Sequence, residues 1–378
     1  MAHTFTYSIY MSSLYERMAD LQAAGRRFAV ATVVRTHGST PQVVGAKLVV
    51  TEVEAERPLG TLGGGCVEAD AILSARGVLA TGSRSLREYQ LTEELAWNTG
   101  LVCGGTMWIL AERDDEALRC GGQHVLAFAK TAAAGGPPLA FVTSLRRTGQ
   151  RVSFGARVVV FADGRRLGSL GVAGLDARAV AVALEQMRHG TPRLLSSGDG
   201  DDLLVEPVTG RPRLVVAGGG HVARAIARQA RLLDFDVTIL EDRPAFANPD
   251  RFDGAEVLTG EVPASIRSLA YGWQTYLVIA TRGHKLDADC VRAAVDTEVS
   301  YIGLLGSRRK TVLIADMLRE ADVAEDRIAT IRAPVGLDLG GRTPAEIALS
   351  VLAEITQERY AGSGGFLSAR AQARALSS

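Results

Sequence analysis

No sign of charge prevails in this chain: 42 Lys and Arg stand against 42 Asp and Glu in 378 residues. Without a global basic field nothing recommends nucleic acid, and without a polybasic arm nothing recommends a membrane surface. No apolar run reaches the length of a membrane-spanning helix, and the N-terminus lacks the basic-then-apolar pattern of a signal peptide. A cytoplasmic protein is expected. Cysteine is scarce, with four residues, Cys66, Cys103, Cys120 and Cys290. None sits in a C-x-x-C pair, which argues against structural zinc, and a reducing compartment argues against disulfides. These thiols are either inert and buried or include a reactive one. No internal repeat is evident, and low complexity is confined to a linker and a Gly-Ser-Gly-Gly stretch near the C-terminus.

What is present fits an ordinary globular protein, 47 % hydrophobic and 22 % charged, long enough for two or three domains. The fold class expected is α/β: a C-terminal Rossmann-like doubly wound parallel sheet plus an N-terminal α+β domain. The domains are placed at 12–200 and 212–360, joined by a linker at 196–212 where SSGDGDD and TGRPR interrupt all periodicity. Downstream, apolar strands alternate with helices: Leu214–Ala217, Val237–Leu240, Glu256–Leu258, Tyr276–Ala280, Ser300–Leu305 and Ile328–Ile331. Thr343-Pro344-Ala345-Glu346 reads as a capping box opening the last helix. Upstream, a helix at Leu14–Ala24 precedes strands Phe28–Arg35 and Lys47–Thr51, and a helix at Val67–Leu79 follows the Gly63–Gly65 turn. Leu203–Val205 suits a short strand, and Asp163-Gly164 is the best hairpin turn.

The motif with most chemistry is RLVVAGGGHVA (Arg213–Ala223). A buried parallel strand runs into Gly218, Gly220 and Ala223, spaced as G-x-G-x-x-G/A, and His221 opens a helix whose Val222, Ile226, Ala230 and Leu233 share one face. A second strand ends in Glu241-Asp242, about twenty residues on, where a ribose-binding acid is expected. The loops after later strands carry Arg282, Gly283 and His284, then Ser307 and Arg308. In an open parallel sheet all four loops share one edge, and helix N-termini with arginines there favour an anion such as phosphate. Each loop alone also fits a plain cap or a solvated helix start. Walker A spacing cannot be fitted at Gly303–Thr311, and no Tyr-x-x-x-Lys dyad stands out. In the N-terminal half, Gly64 and Gly65 deliver Cys66 to a helix start, where backbone N–H groups would stabilise a thiolate or an anion. Cys103 lies beside Gly104-Gly105, and His37-Gly38-Ser39-Thr40-Pro41 follows a strand and either walls the same site or is a plain turn. Both thiols also fit the role of small packing residues.

With these residues in hand, the chain resembles the XdhC/CoxI family, the accessory factors of xanthine dehydrogenase and related molybdenum hydroxylases. The likeness runs from about Met11 to Tyr360. It rests on HGSTPQVVGAKLVV (His37–Val50), GTLGGGCVEAD (Gly60–Asp70), the Cys103-Gly104-Gly105 turn, GGGHVA (Gly218–Ala223), EDRPAFANPDRF (Glu241–Phe252), TRGHKLD (Thr281–Asp287), YIGLLGSRRK (Tyr301–Lys310) and PVGLDLGGRTPAEIA (Pro334–Ala348). Two departures are small: Gly219 where the family usually has Ala, and Glu241-Asp242 where it commonly has Asp-Asp. The resemblance implies a homodimeric chaperone that binds molybdenum cofactor, shelters it, and helps deliver its sulfurated form to an apo molybdenum hydroxylase, with a cysteine desulfurase as second partner. It puts Cys66, together with Cys103, near the metal or a sulfur-transfer step. A rival reading is an NAD(P)-dependent oxidoreductase using Gly218, Gly220 and Glu241 with a histidine as acid/base. A third is a docking protein whose nucleotide site has decayed.

Overall fold

The structure, a computed structural model, describes residues 7–53, 55–91, 104–148, 151–196, 200–360, 362–366 and 368. It divides into two compact units, Met1–Gly210 and Arg211–Ser378.

In the first unit, α1 (Tyr7–Ala23) leads into β1 (Phe28–His37), β2 (Lys47–Thr51), β3 (Leu59–Gly60), α2 (Gly65–Thr81), β4 (Ser85–Gln90) and β5 (Thr106–Arg113). These strands form an antiparallel sheet of order β3-β2-β1-β5-β4. Then α3 (Asp114–Ala117), a small hairpin β6–β7 (Arg119–Cys120, Gln123–His124) and α4 (Leu126–Ala133) lead to a second antiparallel sheet. It comprises β8 (Leu139–Thr148), β9 (Arg151–Phe161), β10 (Arg166–Gly168), β11 (Arg193–Ser196) and β12 (Asp201–Val208), with α5 (Ala173–His189) between β10 and β11. Its order is β10-β9-β8-β12-β11.

The two sheets therefore share one topology, and α1-β1-β2-β3-α2-β4-β5 recurs as α4-β8-β9-β10-α5-β11-β12. The likeness reaches single bonds. Arg26 N–H donates to Leu21 O at the end of α1, as Gly136 N–H does to Thr131 O at the end of α4. Glu68 accepts from the Leu62 N–H and the Thr61 hydroxyl at the start of α2. Asp176 does the same with Leu170 N–H and Ser169 at the start of α5. Both helices span 17 residues and end on a left-handed glycine, Gly82 at φ 74° and Gly190 at φ 69°. An internal repeat is thus present where the sequence alone showed none.

The period-2 pattern of β1 divides two cores. Ala29, Ala31 and Val33 pack with Val67, Ala71 and Ala75 of α2. Val30 and Val34 face the other way, into clusters with Phe141 and Val159 and with Leu145 and Leu204. The stretch expected as linker is largely structure: Leu203, Leu204 and Val205 are fully buried in β12, which pairs with both β8 and β11. Gly and Asp around a short apolar run disguised a central strand, and only Thr209–Pro212 separates the last strand of this unit from the next.

The second unit is a six-stranded parallel sheet of order β15-β14-β13-β16-β17-β18. Its strands are β13 (Arg213–Ala217), β14 (Asp236–Glu241), β15 (Glu256–Thr259), β16 (Thr275–Ile279), β17 (Tyr301–Leu304) and β18 (Ile331–Arg332). This is the doubly wound order with its switch point between β13 and β16. One face carries α6 (His221–Leu232) and α11 (Pro344–Tyr360); the other carries α7 (Val262–Ser268), α8 (His284–Val295) and α9 (Arg308–Glu320). The last strand sits at Ile331–Arg332 rather than Ile328–Ile331, because α10 (Glu325–Ala329) takes up Ile328. The buried stripe of α6 is Ala223, Ile226, Ala227 and Ala230, and Leu233 is left 37 % exposed. Ile226 and Ala230 face the core as expected and Val222 packs against it; Ala223 and Ala227 join them, and Leu233 falls outside. The capping box of α11 forms in full: Glu346 accepts from Thr343 N–H, and Thr343 Oγ1 accepts from Glu346 N–H.

Candidate functional site

Parallel strands deliver every loop that follows a strand of the second unit to the same, carboxyl-terminal sheet edge, so its chemistry starts there. Gly218 has φ 117°, and a Cβ on it would lie 2.4 Å from Ala280 O. Only glycine lets β13 turn under the loop that follows β16. Gly219 is equally confined, beneath Phe246 O and Glu241. At Gly220 and Gly283 the space is open. His221, Arg282, His284, Ser307 and Arg308 are exposed along this rim, whereas Ala223 is fully buried where helix meets strand.

The acid pair behaves unlike a free ribose acceptor. Glu241 is 2 % exposed; its carboxylate accepts from Gly219 N–H at 2.6 Å and from Arg243 Nε and Nη2 at 2.8 and 2.9 Å. Burial pushes its pKa up, but the bonds from Arg243, with Asp242 and the backbone N–H groups of Gly219 and Arg243, outweigh this and hold it at about 2. The Arg243 guanidinium stacks on Phe246 at 3.8 Å. Asp242 is occupied too, by Arg282 Nη2 at 2.9 Å, which bridges from the loop after β16 to the loop after β14. Ser307 serves as N-cap of α9, accepting from Lys310 N–H. Sequence reasoning placed Lys310 in a rim loop but missed Asp287 and the pairing of the two. Asp287 is fully buried, accepts from Thr281 Oγ1 at 2.6 Å, and pairs with Lys310, whose Nζ also donates to Leu305 O. This buried pair ties the loops after β16 and β17 together; an acid in the first turn of α8 was its signal.

In the first unit three glycine motifs meet at one end of the first sheet. A Cβ on Gly105 would lie 2.5 Å from both His37 O and Ser39 O, and one on Gly63 (φ 102°) 2.6 Å from the Pro41 Cβ. The His37–Pro41 segment is therefore held between Gly63 and Gly105. Cys66 follows as the second residue of α2 and is exposed. The backbone donors expected to cradle an anion here serve an internal one: Glu68 accepts from Leu62 N–H at 2.6 Å and Gly64 N–H at 3.0 Å. Glu68 was missed as an internal cap because in sequence it reads as an ordinary first-turn acid. Cys103 lies outside the described residues. Cys120 and Cys290 are buried; burial raises both thiols, Cys290 to about 12. Among the described residues no group of three or more His, Cys, Asp or Glu is placed to hold a metal ion, and no helix is long and apolar enough to cross a membrane.

Comparison with known proteins adds lineage to this geometry. Residues 214–355 match the XdhC Rossmann domain, and residues 21–90 match the XdhC and CoxI family. The chain is 25 % identical over 349 residues to a Bacillus subtilis protein named as a probable xanthine dehydrogenase subunit, covering 91 % of this chain and 97 % of that one. It is 26 % identical over 336 residues to the molybdenum cofactor insertion chaperone PaoD of Escherichia coli, covering 89 % and 85 %. Against the Escherichia coli protein YqeB it is 32 % identical over 246 residues, 61 % of this chain but only 45 % of that longer relative. A crystal structure described as a xanthine dehydrogenase from Bacillus halodurans shares the fold, with a TM-score of 0.63 at 20 % identity over 93 % of this chain and 96 % of that one.

Proposed function

The chain belongs to the XdhC and CoxI family, and from that premise we propose that it is a molybdenum-cofactor chaperone. It binds the cofactor as cargo, protects it, and assists its sulfuration and insertion into a xanthine dehydrogenase-type hydroxylase. A relative named as a molybdenum cofactor insertion chaperone supports this reading. The observation that carries it is the state of Glu241. With its carboxylate committed to Gly219 and Arg243, the rim has lost the acceptor that a nicotinamide dinucleotide uses on ribose. What stays open are donors: the first turns of α6 and α8, which carry no side-chain cap and whose N–H groups have no intrahelical partner, with the exposed Arg308 at the start of α9. Such an edge suits the phosphate of a pterin cofactor. Among the described thiols, exposed Cys66 is the one available to touch the metal or a transferred sulfur, and Gly218, Gly220, His221, Arg282, Gly283, His284 and Arg308 form the phosphate side. The protein acts in the cytoplasm as a homodimer, with the apo-hydroxylase and a cysteine desulfurase as partners.

The strand order alone would also admit NAD(P), so the test must separate cargo from coenzyme. Purified protein should bind molybdopterin-type cofactor near micromolar affinity, about −8 kcal/mol, and raise activation of an apo-hydroxylase supplied with cofactor. Cys66→Ala should lose retention or transfer and keep its fold. Steady NADH or NADPH oxidation without cofactor binding would sink the proposal.

A further inference from the structure

The repeat in the first unit places four charged side chains around its local pseudo-twofold axis, and their pattern is that of a symmetric interface. Thr32 lies opposite Lys47 in the β1–β2 register, and Thr143 opposite Arg157 in the β8–β9 register. Lys47 Nζ donates to Thr32 Oγ1 at 3.0 Å, and Arg157 Nε to Thr143 Oγ1 at 2.9 Å. Glu112 lies opposite Val30, two residues before Thr32; Glu206 lies opposite Phe141, two residues before Thr143. The ion pairs then cross over. Lys47 of the first half meets Glu206 of the second at 2.6 Å, and Arg157 of the second meets Glu112 of the first at 2.7 Å. A group contacting its counterpart's partner, in both directions, is the signature of an isologous contact.

All four side chains are at least nine-tenths buried, and two cations balance two anions. One hydrogen-bond position is nonetheless unfilled: Glu112 Oε1 is buried and accepts nothing from the protein. A buried carboxylate oxygen left without a donor forfeits the hydration it had in the unfolded chain, a cost that a bound water removes. Beside it lies a cavity of about 20 Å³ lined by Lys47, Glu112, Arg157, Glu206, Thr32 and Tyr15. A water needs about 10–15 Å³ and two to four polar partners. The space holds one water and nothing larger. An ammonium-sized cation would add charge to a cluster already neutral, and an anion would meet two carboxylates.

We propose that the junction between the two halves is an internal binding site for a single water molecule, which donates to Glu112 Oε1 and bridges the exchanged ion pairs. The site shares no residue with the proposed cofactor contacts and does not depend on them. Crystals of the full chain at a resolution that shows ordered solvent test it. The expected result is one density peak about 2.7–3.2 Å from Glu112 Oε1, with a second contact to Lys47, Arg157 or Glu206. An empty cavity, or a protein donor on Glu112 Oε1, would overturn it.

Discussion

Replacing Glu241 by Gln tests whether that carboxylate is an internal clamp or a ligand. The amide keeps the shape and an oxygen for Gly219 N–H, but it removes the charge that Arg243 grips through Nε and Nη2. The folded pKa lies at about 2 against an ordinary 4.5. At about 1.4 kcal/mol per pH unit this drop contributes about 3 kcal/mol of stability at neutral pH, an upper bound because Arg243 is partly solvated. The sign follows from the direction. A depressed carboxylate stabilises the fold above its unfolded pKa, and the contribution fades as pH falls from 4.5 toward 2. Glu241→Gln should therefore lower the melting temperature of the second unit by about 6–12 °C near pH 7, and the gap to the unaltered protein should shrink by about half near pH 3. Calorimetry at the two pH values measures both. A variant as stable as the parent at pH 7, yet unable to bind a nucleotide that the parent binds, would refute the clamp and restore the ribose reading. An equal loss at both pH values would refute the electrostatic account.

The glycines of the same turn divide into two kinds. Gly218→Ala places a methyl 2.4 Å from Ala280 O at φ 117°, and should cost several kcal/mol, about 3 or more, in urea titration. At Gly220 a Cβ meets open space, so Gly220→Val should cost only the glycine N-cap of α6, about 1 kcal/mol, while cofactor binding falls at least tenfold; unaltered binding would displace the phosphate side of the site. Brief iodoacetamide treatment at neutral pH should label exposed Cys66 well ahead of Cys120 and Cys290, whose thiols are buried and raised. Equal labelling by peptide mapping would leave Cys66 a packing role. Asp287→Ala strands the Lys310 ammonium beside Leu305 O and should destabilise the second unit by about 3–5 kcal/mol; a neutral result would mean that the pair does not tie the two loops.

The parallel half of the fold was legible because its signals are local. Leu214–Ala217 is an unbroken apolar run ending in glycine, and Thr343 with Glu346 announces a helix within four residues. The rim loops followed from topology. Their internal bonding did not. Nothing in EDR at positions 241–243 says that Arg243 folds back onto Glu241 instead of reaching a ligand; that depends on Phe246 offering its ring to the guanidinium. Likewise the GGG turn before Cys66 suggested donors awaiting an anion, yet Glu68, four residues past Gly64, takes the Gly64 N–H and Thr61 Oγ1 takes that of Gly63.

The repeat was hidden for a different reason, and the way it was hidden bears on function. Segments GTLGGGCVEA (Gly60–Ala69) and GSLGVAGLDA (Gly168–Ala177) align without a gap once the fold pairs them. Yet nine residues, Gly38 to Ala46, separate β1 from β2, while two separate β8 from β9. The connection from β4 to β5 is longer than that from β11 to β12 as well, so no fixed spacing links equivalent positions and a search for a period fails. The long loop expansions fall in the first copy, against a single extra residue between α4 and β8 in the second, and the first copy alone has Gly64-Gly65-Cys66 where the second has Val172-Ala173-Gly174. A half that needed only to close the fold would gain nothing from a long β1–β2 loop held between Gly63 and Gly105, or from three successive positive-φ glycines before a helix. The second copy forms the same sheet and the same capped helix without them. Those loops set the first copy apart from the second at the end of the first sheet that carries Cys66, the end to which the proposed function assigns the contact with the metal or a transferred sulfur.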